Sequence, residues 1–143
     1  MAIVDNRVNR FVEDKDTRVS VGLALPIGRQ PNGDGYFATT KTTMESVKTD
    51  IKTLLMTQRG ERVMQPLLGM NIRRFLFEQI TENTVIEIEN DIVETFSTWL
   101  PFVELNDINI DTGDQDRNKI KIDIKFNIAN APTELESVGV ILE

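Results

Sequence analysis

The chain of 143 residues contains neither cysteine nor histidine. Without cysteine there is no disulfide, no thiolate nucleophile and no zinc–sulfur centre. Without histidine, Ser-His-Asp and Cys-His nucleophile systems are excluded, as is a His-ligated metal. An enzyme built on this chain would have to work with carboxylates, lysine, tyrosine or a bound cofactor. Long apolar runs are missing too: stretches such as Val138 to Leu142, with its Gly139, fall far short of the ~20 residues of a membrane-spanning helix. The opening MAIVDNRVNRF lacks a basic region followed by an apolar stretch, so no signal peptide is expected. Aromatic residues make up only 6% of the chain and sit at apolar periodicity, which makes them core residues rather than a base-stacking platform.

What is present is ordinary for a globular protein, with 40% hydrophobic and 27% charged residues. A compact domain of this length buries roughly 68–70% of its unfolded surface, enough for a core without staples. The net charge of −7 is uneven: residues 1–70 hold ten Lys/Arg against eight Asp/Glu, and residues 71–143 hold six against fifteen. An acidic C-terminal half repels phosphate backbones, so nucleic acid is not an expected partner; it suits a solvated surface or a basic protein.

Along the chain, residues 1–18 are polar and charged and read as a flexible or partner-ordered arm, leaving 19–143 as a single domain. Val19, Val21, Leu23 and Leu25 alternate as in a strand that Pro26 ends, and GRQPNGDGYF is a loop. A first helix is marked by capping-box spacing of Thr42 and Glu45, with Met44, Val47, Ile51, Leu54 and Leu55 on one face and Gly60 as its C-terminal glycine. ERVMQP reads as a short extended piece ended by Pro66. NIRRFLFEQI reads as a short helix carrying Ile72, Phe75, Leu76 and Ile80 inward. Thr81 caps a long helix that Pro101 stops. On it Val85, Ile86, Ile88, Ile92, Val93, Phe96, Trp99 and Leu100 fall within an arc of about 160°, with Glu87, Asp91 and Glu94 on the polar side. The period then changes to two. Val103, Leu105, Ile108 and Ile110 alternate with a slip at Asn106-Asp107 that predicts a bulge. Ile120, Ile122, Ile124, Phe126 and Ile128 face one way, and Lys119, Lys121, Asp123, Lys125 and Asn127 the other. Pro132 breaks this strand, and Leu135 to Leu142 form the last one. Helices followed by strands predict an α+β fold: an antiparallel sheet with two main helices and a short one packed on one face.

Motifs for chemistry fare poorly. From Asp114 the segment DTGDQDRNK starts like a calcium loop, but Lys119 stands at the required glycine and Lys125 at the required glutamate. It reads as a hairpin turn. NGDG, with Gly33 and Gly35, lacks a third glycine, a following Lys-Ser/Thr and a strand-to-helix context, so the dinucleotide and P-loop readings fail. A glycosidase needs two carboxyl groups across a cleft, one with a raised pKa. Glu87 and Asp91 belong to a polar helix face. Glu61 is the better carboxylate, hemmed in by apolar residues, but Arg59 and Arg62 beside it would lower its pKa, the wrong direction for a general acid. What stands out is QRGERVMQPLLGMNI. Its Arg59, Glu61 and Arg62 are either a cationic helix end followed by a salt-bridged turn, or a partly buried Glu61/Arg62 pair that meets another chain.

The stretch TTKTTMESVKTDIKTLLMTQRGERVMQPLLGMNIRRFLFEQIT resembles the contractile-tail baseplate wedge family, also called sheath initiators. The shared elements are the Thr-rich lead-in, the I..LL.T..GER helix end, M.P..G, and LFE before a capped helix. The resemblance runs over about residues 36–143, through the Ile-alternating strand and Asn130-Ala131-Pro132; VGLALPI also fits phage members. It implies a non-enzymatic part of a sixfold virion baseplate, assembled in the host cytoplasm, without cofactor, metal or membrane contact. Implied partners are other wedge proteins and the tail sheath protein, whose first ring would add strands to the sheet. By match to the motif, Arg59, Gly60, Glu61, Arg62, Pro66 and Gly69 form the signature elbow. Val138, Val140 and Leu142 mark the candidate edge strand for sheath addition. Many members carry an acidic and an aromatic residue between Pro66 and Gly69, where this chain has Leu67-Leu68, so local contacts are expected to differ. The family has also carried a lysozyme label, which keeps a cell-wall glycosidase as the alternative. A phage-derived bacterial device using the same part is a third.

Overall fold

The computed structural model describes residues 16, 18–29, 36–78, 81–112, 119–129 and 131–142. Most of the expected N-terminal arm, the NGDG turn, Ile80, the turn at 113–118 and Asn130 lie outside the described residues. The chain divides into two compact units, Met1–Asp50 and Ile51–Glu143. The expected α+β class holds, with two antiparallel sheets and three helices among the described residues.

The first unit contains a two-stranded ribbon, β1 (Gly22–Leu23) against β2 (Thr39–Thr40). The strand expected over Val19–Leu25 is shorter than its alternation suggests, and Val19, Leu23 and Leu25 are exposed. Among the described residues its strand partner is a two-residue strand, flanked by backbone bonds from the Val21, Ala24 and Ala38 N–H groups. A two-stranded ribbon has no apolar layer of its own to hide a side-chain face.

Helix α1 (Thr43–Met56) begins as its sequence predicts. The Thr42 hydroxyl accepts from the Glu45 N–H at 3.3 Å, while the Glu45 carboxylate reaches back one residue further, to the Lys41 N–H at 3.1 Å. Val47, Ile51, Leu54 and Leu55 are buried and Met44 is half-buried. The helix ends at Met56, before the expected Gly60: the Thr57 N–H and hydroxyl still bond the Thr53 carbonyl, and the chain then leaves the helical path.

In the second unit, α2 (Ile72–Phe75) is a single turn instead of a helix through residue 80. The Leu76, Phe77 and Glu78 N–H groups bond carbonyls three residues back, the tighter geometry in which a helix runs out. Ile72, Phe75 and Leu76 are buried as expected. Helix α3 (Glu82–Trp99) starts in a reciprocal box between Thr81 and Thr84. Its buried stripe is rotated from the expected arc. Ile86 and Val93 are exposed at one flank, whereas Thr84 and Thr95 are buried at the other.

The sheet follows the period-two reading closely. Strands β3 (Val103–Asp111), β4 (Ile120–Ile128) and β5 (Ala131–Leu142) run antiparallel in the order β3-β4-β5. The register of β3 shifts between Leu105 and Asp107, where the sequence slips. All five inward residues of β4, from Ile120 to Ile128, are at most 3% exposed. Ile51, Met70, Phe75, Ile88, Ile92 and Phe96 complete the core of this unit. Asn127 departs from the expected wet face: it is buried, and its amide donates to the Glu104 carboxylate of its cross-strand neighbour at 2.9 Å. Pro132 does not separate the strands but lies inside β5, an edge strand, in the stretch between the Ile128–Ala131 and Phe126–Glu136 pairs where the register shifts.

Candidate functional site

Between Thr57 and Met70 the chain makes a loop whose two ends meet. The Met70 N–H bonds the Thr57 carbonyl at 2.9 Å, and Gln58 and Met70 form an isolated parallel bridge. Inside the loop, the Glu61, Gln65 and Leu68 N–H groups each close a turn on the carbonyl three residues back. The Gly60 N–H crosses the loop to the Pro66 carbonyl at 2.8 Å. ERVMQP is therefore a succession of turns and not the expected extended piece. Compact loops of this kind are held by their own bonds and commonly carry function.

Both elbow glycines have left-handed backbone, with φ of +87° at Gly60 and +103° at Gly69. Gly69 is constrained twice, because a Cβ there would sit 2.2 Å from the Thr57 carbonyl oxygen. At Gly60 a Cβ would meet nothing within 4 Å. The close approach at Gly69 is what lets the returning chain reach Thr57.

The expected Glu61/Arg62 ion pair is replaced by another. The Glu61 carboxylate accepts from the Gln58 N–H at 3.1 Å, and both Glu61 and Arg62 are exposed, so Glu61 is not hemmed in. Arg59 makes the fixed contacts. Its Nε donates to the Gly69 carbonyl at 3.2 Å, and its Nη2 donates to Asp91 Oδ1 at 3.1 Å and Thr95 Oγ1 at 3.4 Å. Asp91, assigned from sequence to a solvated stripe, is thus an ion-pair partner. The overlooked signal was its position one turn before Thr95 on the flank where Thr84, Asp91 and Thr95 line up; a planar guanidinium bonds several acceptors at once.

With its base fixed, the loop holds its tip outward. Val63, Met64 and Leu67 are 92%, 89% and 74% exposed, and Pro66 is exposed beside them. Phe77, just after α2, is 85% exposed. Single exposed apolar residues are common; here three fall on one loop closed by its own bonds.

Val138, Val140 and Leu142 point inward, opposite Ile124, Ile122 and Ile120, and are buried. What β5 offers at the sheet edge is therefore its backbone. Its pairing with β4 is regular from Glu136 to Leu142, whereas β3, the other edge, is interrupted at its bulge.

Among the described residues, no group of three or more His, Cys, Asp or Glu could hold a metal ion, and no helix is long and apolar enough to cross a membrane. Partial desolvation raises the pKa of Asp50, which lies on α1 outside the elbow.

The described residues define an α+β protein with a closed loop between its first two helices, and comparison with known proteins identifies its family. Residues 41–133 match the family of the baseplate wedge protein gp25, and the chain belongs to that family. The baseplate wedge protein gp25 of Enterobacteria phage T4 is 23% identical over 99 residues, covering 69% of this chain and 74% of that protein. A protein of Geobacter sulfurreducens described as a tail lysozyme has a similar structure, with a TM-score of 0.63 and 27% identity over 71% of this chain and 90% of its own. A chain of the sixfold-symmetrised anti-feeding prophage baseplate matches with a TM-score of 0.57 and 26% identity, over 83% of this chain and 81% of that one. A chain of the post-contraction pyocin R2 baseplate shares the fold at 18% identity and a TM-score of 0.50, over 82% of this chain and 99% of that one. The protein is a structural baseplate component of the contractile-tail type.

Proposed function

We propose that this protein is a non-enzymatic wedge subunit that joins wedge core proteins through its elbow and starts sheath assembly through the β5 edge. The observation that carries the reading is the elbow tip. Turns closed by the Glu61, Gln65 and Leu68 N–H groups and the Gly60–Pro66 bond hold the loop, and Val63, Met64 and Leu67 stand exposed on it. Burying them against a neighbour would return on the order of 25 cal/mol for each Å² of apolar surface covered. The regular β5 edge supports a second contact, in which an extended sheath segment pairs with the backbone from Glu136 to Leu142. A long open edge otherwise invites uncontrolled aggregation, so a partner that covers it resolves a liability.

In this reading the protein acts in several copies in a sixfold virion baseplate, assembled in the host cytoplasm. It binds no nucleic acid, membrane or cofactor. Mixing the purified chain with its sheath and wedge core proteins should give a complex on size-exclusion chromatography. Absence of binding to either would sink the proposal. Arg62→Ala, at an exposed position, should weaken that complex without altering the urea midpoint; equal loss of both would return Arg62 to a structural role.

The wall-hydrolase alternative is favoured by the tail-lysozyme name of one structural neighbour. It predicts a cleared band in a peptidoglycan zymogram that one carboxylate substitution abolishes. Asp50→Asn is the first variant to test, since partial desolvation shifts the Asp50 carboxyl in the direction a general acid needs. A gel without clearing disposes of it.

A further inference from the structure

We propose that Asp91 on α3 is the positioning residue of the elbow, acting through Arg59 as a latch. The loop has two anchoring systems of different kinds. One is local: the Thr57–Met70 bond and the close approach of Gly69 to Thr57. The other is the Arg59 guanidinium, which joins the loop's own Gly69 carbonyl to Asp91 and Thr95 on a separate element. The local system closes the loop on itself; among the hydrogen bonds of the described residues, the Arg59 system is the one that braces that closure against α3.

The electrostatics fit a latch. The Arg59 and Asp91 side chains are 37% and 20% exposed, so the pair is partly shielded from solvent and reachable at its rim. Thr95 is buried, and its hydroxyl accepts from the same Nη2 that bonds Asp91, which leaves the guanidinium little freedom to rotate. A charge-assisted bond with a second acceptor alongside is more directional than an isolated surface ion pair. The rotation of the α3 buried stripe toward Thr84, Asp91 and Thr95 is the packing counterpart of this contact. The helix turns a polar flank inward because an arginine is there to meet it.

The partner-binding part of this inference rests on the elbow reading above, but the latch does not, and one set of variants separates them. Asp91→Ala removes the acceptor while raising intrinsic helix propensity, so a loss of elbow order cannot be attributed to a weaker α3. Amide hydrogen exchange of the full chain should be roughly fivefold faster at Gly60 and Met70, the equivalent of ~1 kcal/mol for a partly exposed ion pair. Exchange at Ile122 and Ile124 should not change. Asp91→Glu, which keeps the charge, should restore most of the protection. Unchanged exchange at Gly60 and Met70, or an equal rise at Ile122 and Ile124, overturns the latch. Binding to the neighbouring wedge core protein, measured by analytical ultracentrifugation, should fall with Asp91→Ala and recover with Asp91→Glu. Intact binding by Asp91→Ala overturns the positioning role. If the wild-type chain itself does not bind, the elbow reading fails while the exchange data still decide the latch.

Discussion

Strand β4 and the elbow put the same kinds of side chain to opposite uses. In β4, five large apolar residues alternate from Ile120 to Ile128 and all five are buried. In the elbow, Val63, Met64 and Leu67 are just as apolar and stand in water. The strand is specified by side chains, because with a period of two a register slip would carry every isoleucine to the wet face. The elbow is specified by backbone: three consecutive turns, a cross-loop bond at Gly60, a carbonyl at Gly69 and one arginine. Apolar side chains report a fold only where they set it. Where glycine and hydrogen bonds set the path, they are free to be a surface.

Substitution in the strand should have the largest effect. Ile124→Ala removes most of a fully buried side chain from the centre of the sheet and should lower unfolding stability by about 2–5 kcal/mol in a urea titration. Gly69→Ala comes next. Left-handed backbone costs a non-glycine residue roughly 1–2 kcal/mol, and here the new methyl also meets a backbone carbonyl that cannot move aside without opening the loop. We expect a loss near 2 kcal/mol, with exchange at Met70 rising first. Gly60→Ala meets the same torsional penalty in open space and should cost about 1 kcal/mol, from strain alone. If the two glycine variants proved equally costly, steric closure at Thr57 would not be what sets the loop.

This contrast also explains what could be read from the sequence. The β4 face, the β3 bulge at Asn106, the Thr81 cap and the α1 stripe were legible because each is a local pattern with one geometric consequence. The elbow residues were legible as a motif, but their arrangement was not. Whether Glu61 pairs with Arg62, or Arg59 with Asp91, depends on which helix the returning chain meets, and local spacing carries no record of that. Val19 to Leu25 failed for a related reason: alternation marks a strand that has a face to bury, and the ribbon offers none. The start of β5 at Ala131 was hidden because proline signals a break, and an edge strand with a shifted register at that point tolerates it.

The elbow tip should give the smallest effect on folding and the most informative one on assembly. Met64→Ser and Leu67→Ser replace exposed side chains with no partner in the fold, so each should change stability by less than about 0.5 kcal/mol. The double variant should melt with the wild-type midpoint and show wild-type exchange at Gly60 and Met70, since no bond of the loop passes through these side chains. Its complex with the wedge core protein should nevertheless weaken, because a contact patch loses affinity when its apolar anchors go even if its scaffold is untouched. A double variant that destabilised the chain would mean that the tip is folded against something and is not a free surface. One that kept both stability and binding would move the contact elsewhere, and Phe77, the next exposed large side chain along, would be the first residue to test.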